Sequence, residues 1–129
     1  MIRRQLAWFI AVGCAAAATH WLLVVLLVRQ GLAPLAANPL GWFGAFWVSW
    51  GGHRRLTFGA IDAPLRQALP RFFVVSLAGF AVNEAAYAAL LAGTGLRYDL
   101  ALGLVLVGVA VATWLLSRHW AFAGRRRGG

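Results

Sequence analysis

The chain has no lysine, one cysteine and three acidic residues, and each shortage excludes a class of protein. A lone Cys14 cannot build an internal disulfide framework. Paired Cys-x-x-Cys and His-Glu-x-x-His patterns are missing too, which removes two of the commonest metal sites, and no metal or other cofactor is expected. Charged residues fill 12% of the 129 positions, against roughly 25% in a soluble domain. What is abundant is apolar: 62% of the residues are hydrophobic, and 12 arginines give a formal net charge of +9. A nucleic-acid-binding module spreads such charge over a solvated face. Here the arginines sit in short clusters between long apolar runs, so no nucleic-acid partner is expected, and an integral membrane protein is. The absence of lysine fits a genome biased toward Arg, Ala and Gly codons.

Four apolar stretches are legible, from Leu6 to Val28, Leu35 to Gly52, Phe72 to Gly93 and Leu100 to Phe122. Each reaches or approaches the ~20 residues that a helix needs to cross ~30 Å of hydrocarbon. Pro34 and Pro39 bracket the start of the second, with Pro39 expected in the first turn, where proline is tolerated. The first stretch is too long for the apolar part of a signal peptide and is read as a retained helix. Arg3, Arg4, Arg54, Arg55, Arg66, Arg71, Arg118, Arg125, Arg126 and Arg127 fall on one side of these spans, and Arg29 and Arg97 on the other. The positive-inside rule then puts both termini in the cytoplasm. The expectation is an all-α integral membrane fold, one domain over 1–129, with a basic tail at 123–129 near anionic lipid.

At an offset of 64 residues the sequence aligns with itself without a gap. Phe9 meets Phe73, Gly31 meets Gly95, Gly44 meets Gly108, Trp50 meets Trp114, Arg54 meets Arg118 and Phe58 meets Phe122. Coincidences among Leu and Ala mean little, but the spacing Trp-x3-Arg-x3-Phe holds in both copies. Two spans per unit make this a parallel repeat, covering about 6–58 and 70–122. A binding site between the halves is a common outcome of such pseudo-symmetry.

The two copies read Trp-Gly-Gly-His-Arg-Arg-Leu-Thr-Phe from Trp50 and Trp-Leu-Leu-Ser-Arg-His-Trp-Ala-Phe from Trp114. Here the chain resembles the GtrA-like family, small four-helix bacterial membrane proteins whose second and fourth helices end in an Asn/His/Ser-Arg-x-x-x-Phe signature. His53 and Ser117 stand where Asn is common in that family. The resemblance covers nearly the whole chain. It implies a place in the bacterial cytoplasmic membrane and a role in cell-surface polysaccharide synthesis, either translocating undecaprenyl- or other polyprenyl-phosphate-linked sugars or supporting the glycosyltransferases that use them.

Arg54 and Arg118 end their helices, where the negative end of the helix dipole and lipid phosphates both favour a cation. A guanidinium also presents a planar fork that suits a phosphodiester. Two readings of this pair stand side by side: a lipid-phosphate site that includes Arg55, His53 and His119, or simple anchoring at the interface. Aromatics at i−4 and i+4 of each arginine (Trp50, Phe58, Trp114, Phe122), with Trp47, could pack on a prenyl chain or form an interfacial belt. Core or lipid packing is the simpler role for the run Trp42, Phe43, Phe46, Trp47 and Trp50. Gly13, Gly41, Gly44, Gly103 and Gly108 are expected to permit close helix approach, Asp62 to pair weakly with Arg66, and Cys14 to pack.

Glu84 is the one acid inside a span, about 18 Å beyond Phe72 at 1.5 Å per residue. An ionised carboxyl there is costly, so it should face the bundle or be protonated. His20 is its repeat partner at similar depth. Ser76, Gly79, Asn83 and Tyr87 share one helical face beside it. These residues form either a polar path along which Asn83, Glu84, His20, Tyr87 and Ser76 meet sugar hydroxyls, or a hydrogen bond tying the first helix to the third.

The leading expectation is a non-enzymatic translocase of a polyprenyl-phosphate-linked sugar. No ATP-binding motif is present, so flipping would be passive or ion-driven. The alternatives are an accessory subunit that anchors a membrane glycosyltransferase, and a proton-coupled multidrug exporter, against which the doubled Trp-Arg-Phe spacing argues. Four short helices enclose little space, so a homodimer is a further possibility.

Overall fold

The computed structural model describes residues 2–57 and 65–126, with side-chain surroundings for 3–56 and 69–112. Four helices carry the described chain: α1 (Ile2–Arg29), α2 (Pro34–Gly52), α3 (Leu65–Gly93) and α4 (Tyr98–Arg126). A π-helical turn, His53–Thr57, continues α2. No strand occurs among the described residues. At 1.5 Å per residue α1, α3 and α4 are each about 42–44 Å long and α2 about 28 Å. Among the described residues, Arg3–Arg29 and Leu69–Gly93 are long and apolar enough to cross a membrane.

The connections explain the boundaries. Gly31, with φ of 107°, turns the chain out of α1. Its N–H donates to the Val28 carbonyl (3.0 Å) and that of Leu32 to Leu27 (3.1 Å), the paired bonds that close a helix C-terminus around a left-handed residue. Pro34 then opens α2, where its missing N–H costs nothing. The helix therefore begins early, and Pro39 lies in its second turn instead of the expected first. Without an N–H, Pro39 leaves the Leu35 carbonyl outside the helical ladder. Similarly, α3 starts at Leu65 and runs through Pro70, seven residues ahead of the expected Phe72. Between α3 and α4, Thr94 Oγ1 donates to the Leu90 carbonyl (2.6 Å), and Arg97 pairs with Asp99 at 3.0 Å in the first turn of α4.

The helices form a ring in which α1 packs on α2 and α4, and α3 on α2 and α4. The α1–α2 contact is the most extensive. Its cause is three glycines on one side of α2. A Cβ at Gly41 would lie 2.7 Å from Val24 Cγ2 and 2.9 Å from the His20 carbonyl, one at Gly52 would lie 2.7 Å from Val12 Cγ1, and one at Gly44 would collide with Leu23. Gly13 and Gly108 do not serve this purpose, since a Cβ there would meet nothing within 4 Å, and Gly103 reaches only Trp21 Nε1 at 4.0 Å. Val24, Ala37, Tyr87, Ala101, Leu102 and Val105 make the buried apolar cluster.

The exterior is the apolar part. Val74, Val75, Val82 and Val107 are each more than 60% exposed, while His20, Asn38, His53 and Asn83 are buried. This reverses the arrangement of a soluble bundle, where an exposed apolar surface on every helix would drive association. Hydrocarbon is the solvent that tolerates it. Cys14, expected to pack, is exposed on this surface.

Candidate functional site

A cavity of about 240 Å³, open on one side, is lined by residues of all four helices. Small residues make the room: Ala16 and Ala17 from α1, Ala45 and Ser49 from α2, Ser76 and Gly79 from α3. Trp42 and Phe80, stacked at 5.1 Å, form one wall, and Leu106 and Val109 of α4 another. His20 and Asn83 supply polar atoms at one end.

Behind them stands a residue that the sequence reading passed over. Asn38, wholly buried on α2, joins three helices. Its Oδ1 lies 2.6 Å from His20 Nε2 on α1, and its Nδ2 donates to Asn83 Oδ1 (2.9 Å) and Glu84 Oε2 (3.3 Å) on α3. With both amide hydrogens given to α3, the Oδ1 is the acceptor toward His20, which fixes the His20 proton on Nε2. The expected hydrogen bond between the first and third helices thus exists only through an intermediary. Glu84, half-buried, does not line the cavity; it lies on the far side of Asn38. Tyr87 does not line it either. Its hydroxyl donates to the Tyr98 carbonyl (3.0 Å), and Trp21 Nε1 to that of Asp99 (2.9 Å), so these two rings secure the start of α4.

Toward the opposite end the cavity meets an aromatic layer. Phe46 and Trp50 of α2 lie 5.5 and 5.6 Å from Phe72 of α3, and His53 stacks on Phe9 of α1 at 5.0 Å. Eleven residues separate Phe9 from His20 and Phe72 from Asn83, so this layer is about 17 Å from the polar end. His53 is buried in it and turns inward, away from the surface on which a phosphate site was expected. Arg54 and Arg55 are exposed just beyond. The Arg54 guanidinium carbon lies 5.4 Å from the Trp50 ring centroid, a cation–π distance. The wide π-helical turn carries both arginines, a feature frequent where a helix is bent to a functional purpose. Because the four helices alternate in direction, the first two turns of α1 and α3 and the last three of α4 bring the backbone positions of Arg3, Arg4, Arg66, Arg71, Arg118 and Arg126 to this same end.

A family model, the GtrA/DPMS transmembrane domain, matches residues 8–122. The chain belongs to this family. The match runs from α1 almost to the end of α4 and so includes the cavity, the aromatic layer and Arg54, with Arg3, Arg4 and Arg126 outside it. The family is one that handles polyprenyl-linked sugars in membranes. No curated protein and no solved structure matches the chain.

Within this GtrA/DPMS domain the structure brings together part of what the sequence proposed. His20, Asn83 and Ser76 share the cavity, Glu84 is joined to it through Asn38, and Trp50 and Arg54 meet at the arginine-rich end. Trp47 is exposed and faces outward, in edge contact with Phe43 and Phe46. Phe58 and Asp62 lie outside the described residues, as do the side chains of Arg66, Trp114, Arg118, His119 and Phe122. Asn38 and Ser49 were missed. The available signal for Asn38 was an amide directly before Pro39 inside an apolar span, where a polar group needs a partner.

Proposed function

We propose that this protein is a non-enzymatic translocase that carries a polyprenyl-phosphate-linked sugar, undecaprenyl phosphate being the lipid implied, across the bacterial cytoplasmic membrane for cell-surface glycan synthesis. In this reading all four helices span the bilayer as two parallel hairpin repeats, with both termini and the arginine-rich end in the cytoplasm. The reading is carried by one observation: an open cavity among the helices of a lipid-facing bundle, polar at one end and separated from exposed arginines by a layer of aromatic rings.

The chemistry follows from the parts. Trp50 holds the Arg54 guanidinium by its face, leaving the planar N–H edge for a phosphodiester. Arg118, its repeat counterpart, supplies the second fork. The sugar passes the aromatic layer by stacking and reaches the hydrogen-bonding atoms of Ser49, Ser76, His20 and Asn83. A volume of about 240 Å³ is below the ~300–1,000 Å³ of drug-sized sites, which suits a single sugar ring. The prenyl chain stays outside, against apolar surface such as Phe43 and Trp47.

The test is crossing of such a lipid in liposomes, read by its access to a membrane-impermeant reagent. Wild-type protein should equalise the leaflets, and Arg54→Ala with Arg118→Ala should not. Wild-type protein that moves no lipid yet co-purifies with a membrane glycosyltransferase would replace this reading with that of an accessory subunit.

A further inference from the structure

The network behind the cavity links a carboxyl group to the place where the head group binds. Asn38 has two amide hydrogens, and both are committed, one to Asn83 and one to Glu84. Its oxygen is held by His20. His20 and Asn83 face the cavity, whereas Asn38 and Glu84 do not line it. A sugar oxygen that accepts the His20 Nε2 hydrogen takes it from Asn38 Oδ1, and the amide, freed on that side, can turn away from Glu84. Glu84 then loses its amide donor. Among the described residues Glu84 has no cation as partner, the one ion pair being Arg97–Asp99. The other titratable groups around it are His20 on α1, Tyr87 on α3, and Tyr98 and Asp99 at the start of α4; α2 contributes only the neutral amide. A carboxylate deprived of its donor at this depth is costly, and a proton removes the charge.

We propose that Glu84 takes up one proton each time a lipid-linked head group occupies the cavity and releases it when the head group leaves, so that the two cross together. Protonation is a simple balance: carboxylate and proton give the neutral acid, and no other bond changes. A phosphodiester carries one negative charge, so one accompanying proton makes the crossing electrically neutral. This rests on the translocase reading above and adds the coupling ion; an inward proton gradient then opposes outward movement, so consumption of the lipid-linked sugar at the outer face supplies the net drive.

The decisive experiment uses the full chain in liposomes, with a short-chain polyprenyl-phosphate sugar and the membrane voltage held at zero by potassium and valinomycin. With the lumen one pH unit more alkaline than the outside, one-to-one cotransport enriches the lipid in the inner leaflet about tenfold at steady state. Glu84→Gln, which keeps a hydrogen-bonding side chain of the same shape, should leave the leaflets equal. Proton uptake by wild-type protein in weakly buffered detergent, followed with an indicator dye on adding the lipid, gives the same answer without a variant. Wild-type crossing that ignores the pH gradient would overturn the coupling while leaving the translocase intact, and enrichment on the acid side would overturn joint binding. A gradient response that survives in Glu84→Gln would remove Glu84 from the role. No crossing under any gradient would overturn the translocase reading itself.

Discussion

Removing the Asn38 side chain should loosen the bundle more than any other single polar change. Asn38→Ala deletes three interhelical hydrogen bonds, to His20, Asn83 and Glu84. Such bonds in membrane proteins average about 0.6 kcal/mol and reach about 1.7, because the unfolded chain also finds partners. Three average bonds amount to about 2 kcal/mol. The His20 contact, at 2.6 Å and fully enclosed, belongs toward the stronger end, which brings the expected loss to about 2–3 kcal/mol. That is roughly a 30- to 150-fold shift in the unfolding equilibrium. Reversible unfolding by SDS in mixed micelles measures it. His20→Ala should cost less, since it deletes a single bond of the set, and the double variant should show a coupling of about 0.6–1.7 kcal/mol. A loss below about 0.5 kcal/mol for Asn38→Ala, or no coupling to His20, would show that the network does not hold the helices.

Gly41→Ala should destabilise by about 1–3 kcal/mol in the same assay, because its methyl meets a backbone carbonyl that cannot swing aside. Gly13→Ala, with open space around it, should be neutral or gain up to about 1 kcal/mol from helix propensity; the reverse order would refute the assigned α1–α2 contact. Arg54→Ala should change stability by less than about 1 kcal/mol, the scale of an exposed cation–π pair, yet abolish crossing of the phosphate lipid, with Arg54→Lys recovering part of it; unchanged crossing would reduce Arg54 to an anchor. In a Cys14→Ala background, a cysteine at Thr94 should react with an impermeant maleimide in intact cells, and one at Arg55 only after permeabilisation. The opposite pattern would invert the topology.

Helices were legible because the signals that set them are local. Apolar runs of membrane length located all four, and the Gln30–Gly31–Pro34 region announced the turn between α1 and α2. Helix starts were misplaced at two points. Pro39 and Pro70 mark second turns, since a helix that starts upstream needs only to forgo one carbonyl partner, and the rigid φ of proline already suits it. At the site, His20, Asn83 and Glu84 stood out because ionisable and amide groups are rare within spans. How they connect was not legible. Their separations of 18, 45 and 46 residues from Asn38 become contacts only once α2 packs on both α1, where Gly41 and Gly44 let it approach, and α3. His53 misled for a related reason: its neighbours in sequence are exposed arginines, while its neighbours in space are Phe9 and Phe72.

The offset that aligns the two halves pairs His20 with Glu84 and Asn38 with Leu102. All four are buried or half-buried in the ring, but the chemistry of one half is not repeated in the other. Asn38 serves His20 of its own half and Glu84 of the other, while Leu102, wholly buried, packs in the apolar cluster with Tyr87 and Val24. The glycines divide in the same way: Gly41 and Gly44 seat α2 on α1, whereas the corresponding Val105 is part of the apolar core and Gly108 touches nothing. The first hairpin is consequently closely seated, and the polar groups of the second, Ser76, Asn83 and Glu84, all stand on α3, while the described residues of α4 turn an apolar side inward. A carrier that must hold a head group and then let it go needs one rigid wall with the hydrogen-bonding groups and one that can shift. By this division α4, held at its start by Trp21 and Tyr87 and bringing Leu106 and Val109 to the cavity, is the element to move, and a cross-link that ties it to α1 away from that anchor should stop transport without disturbing binding.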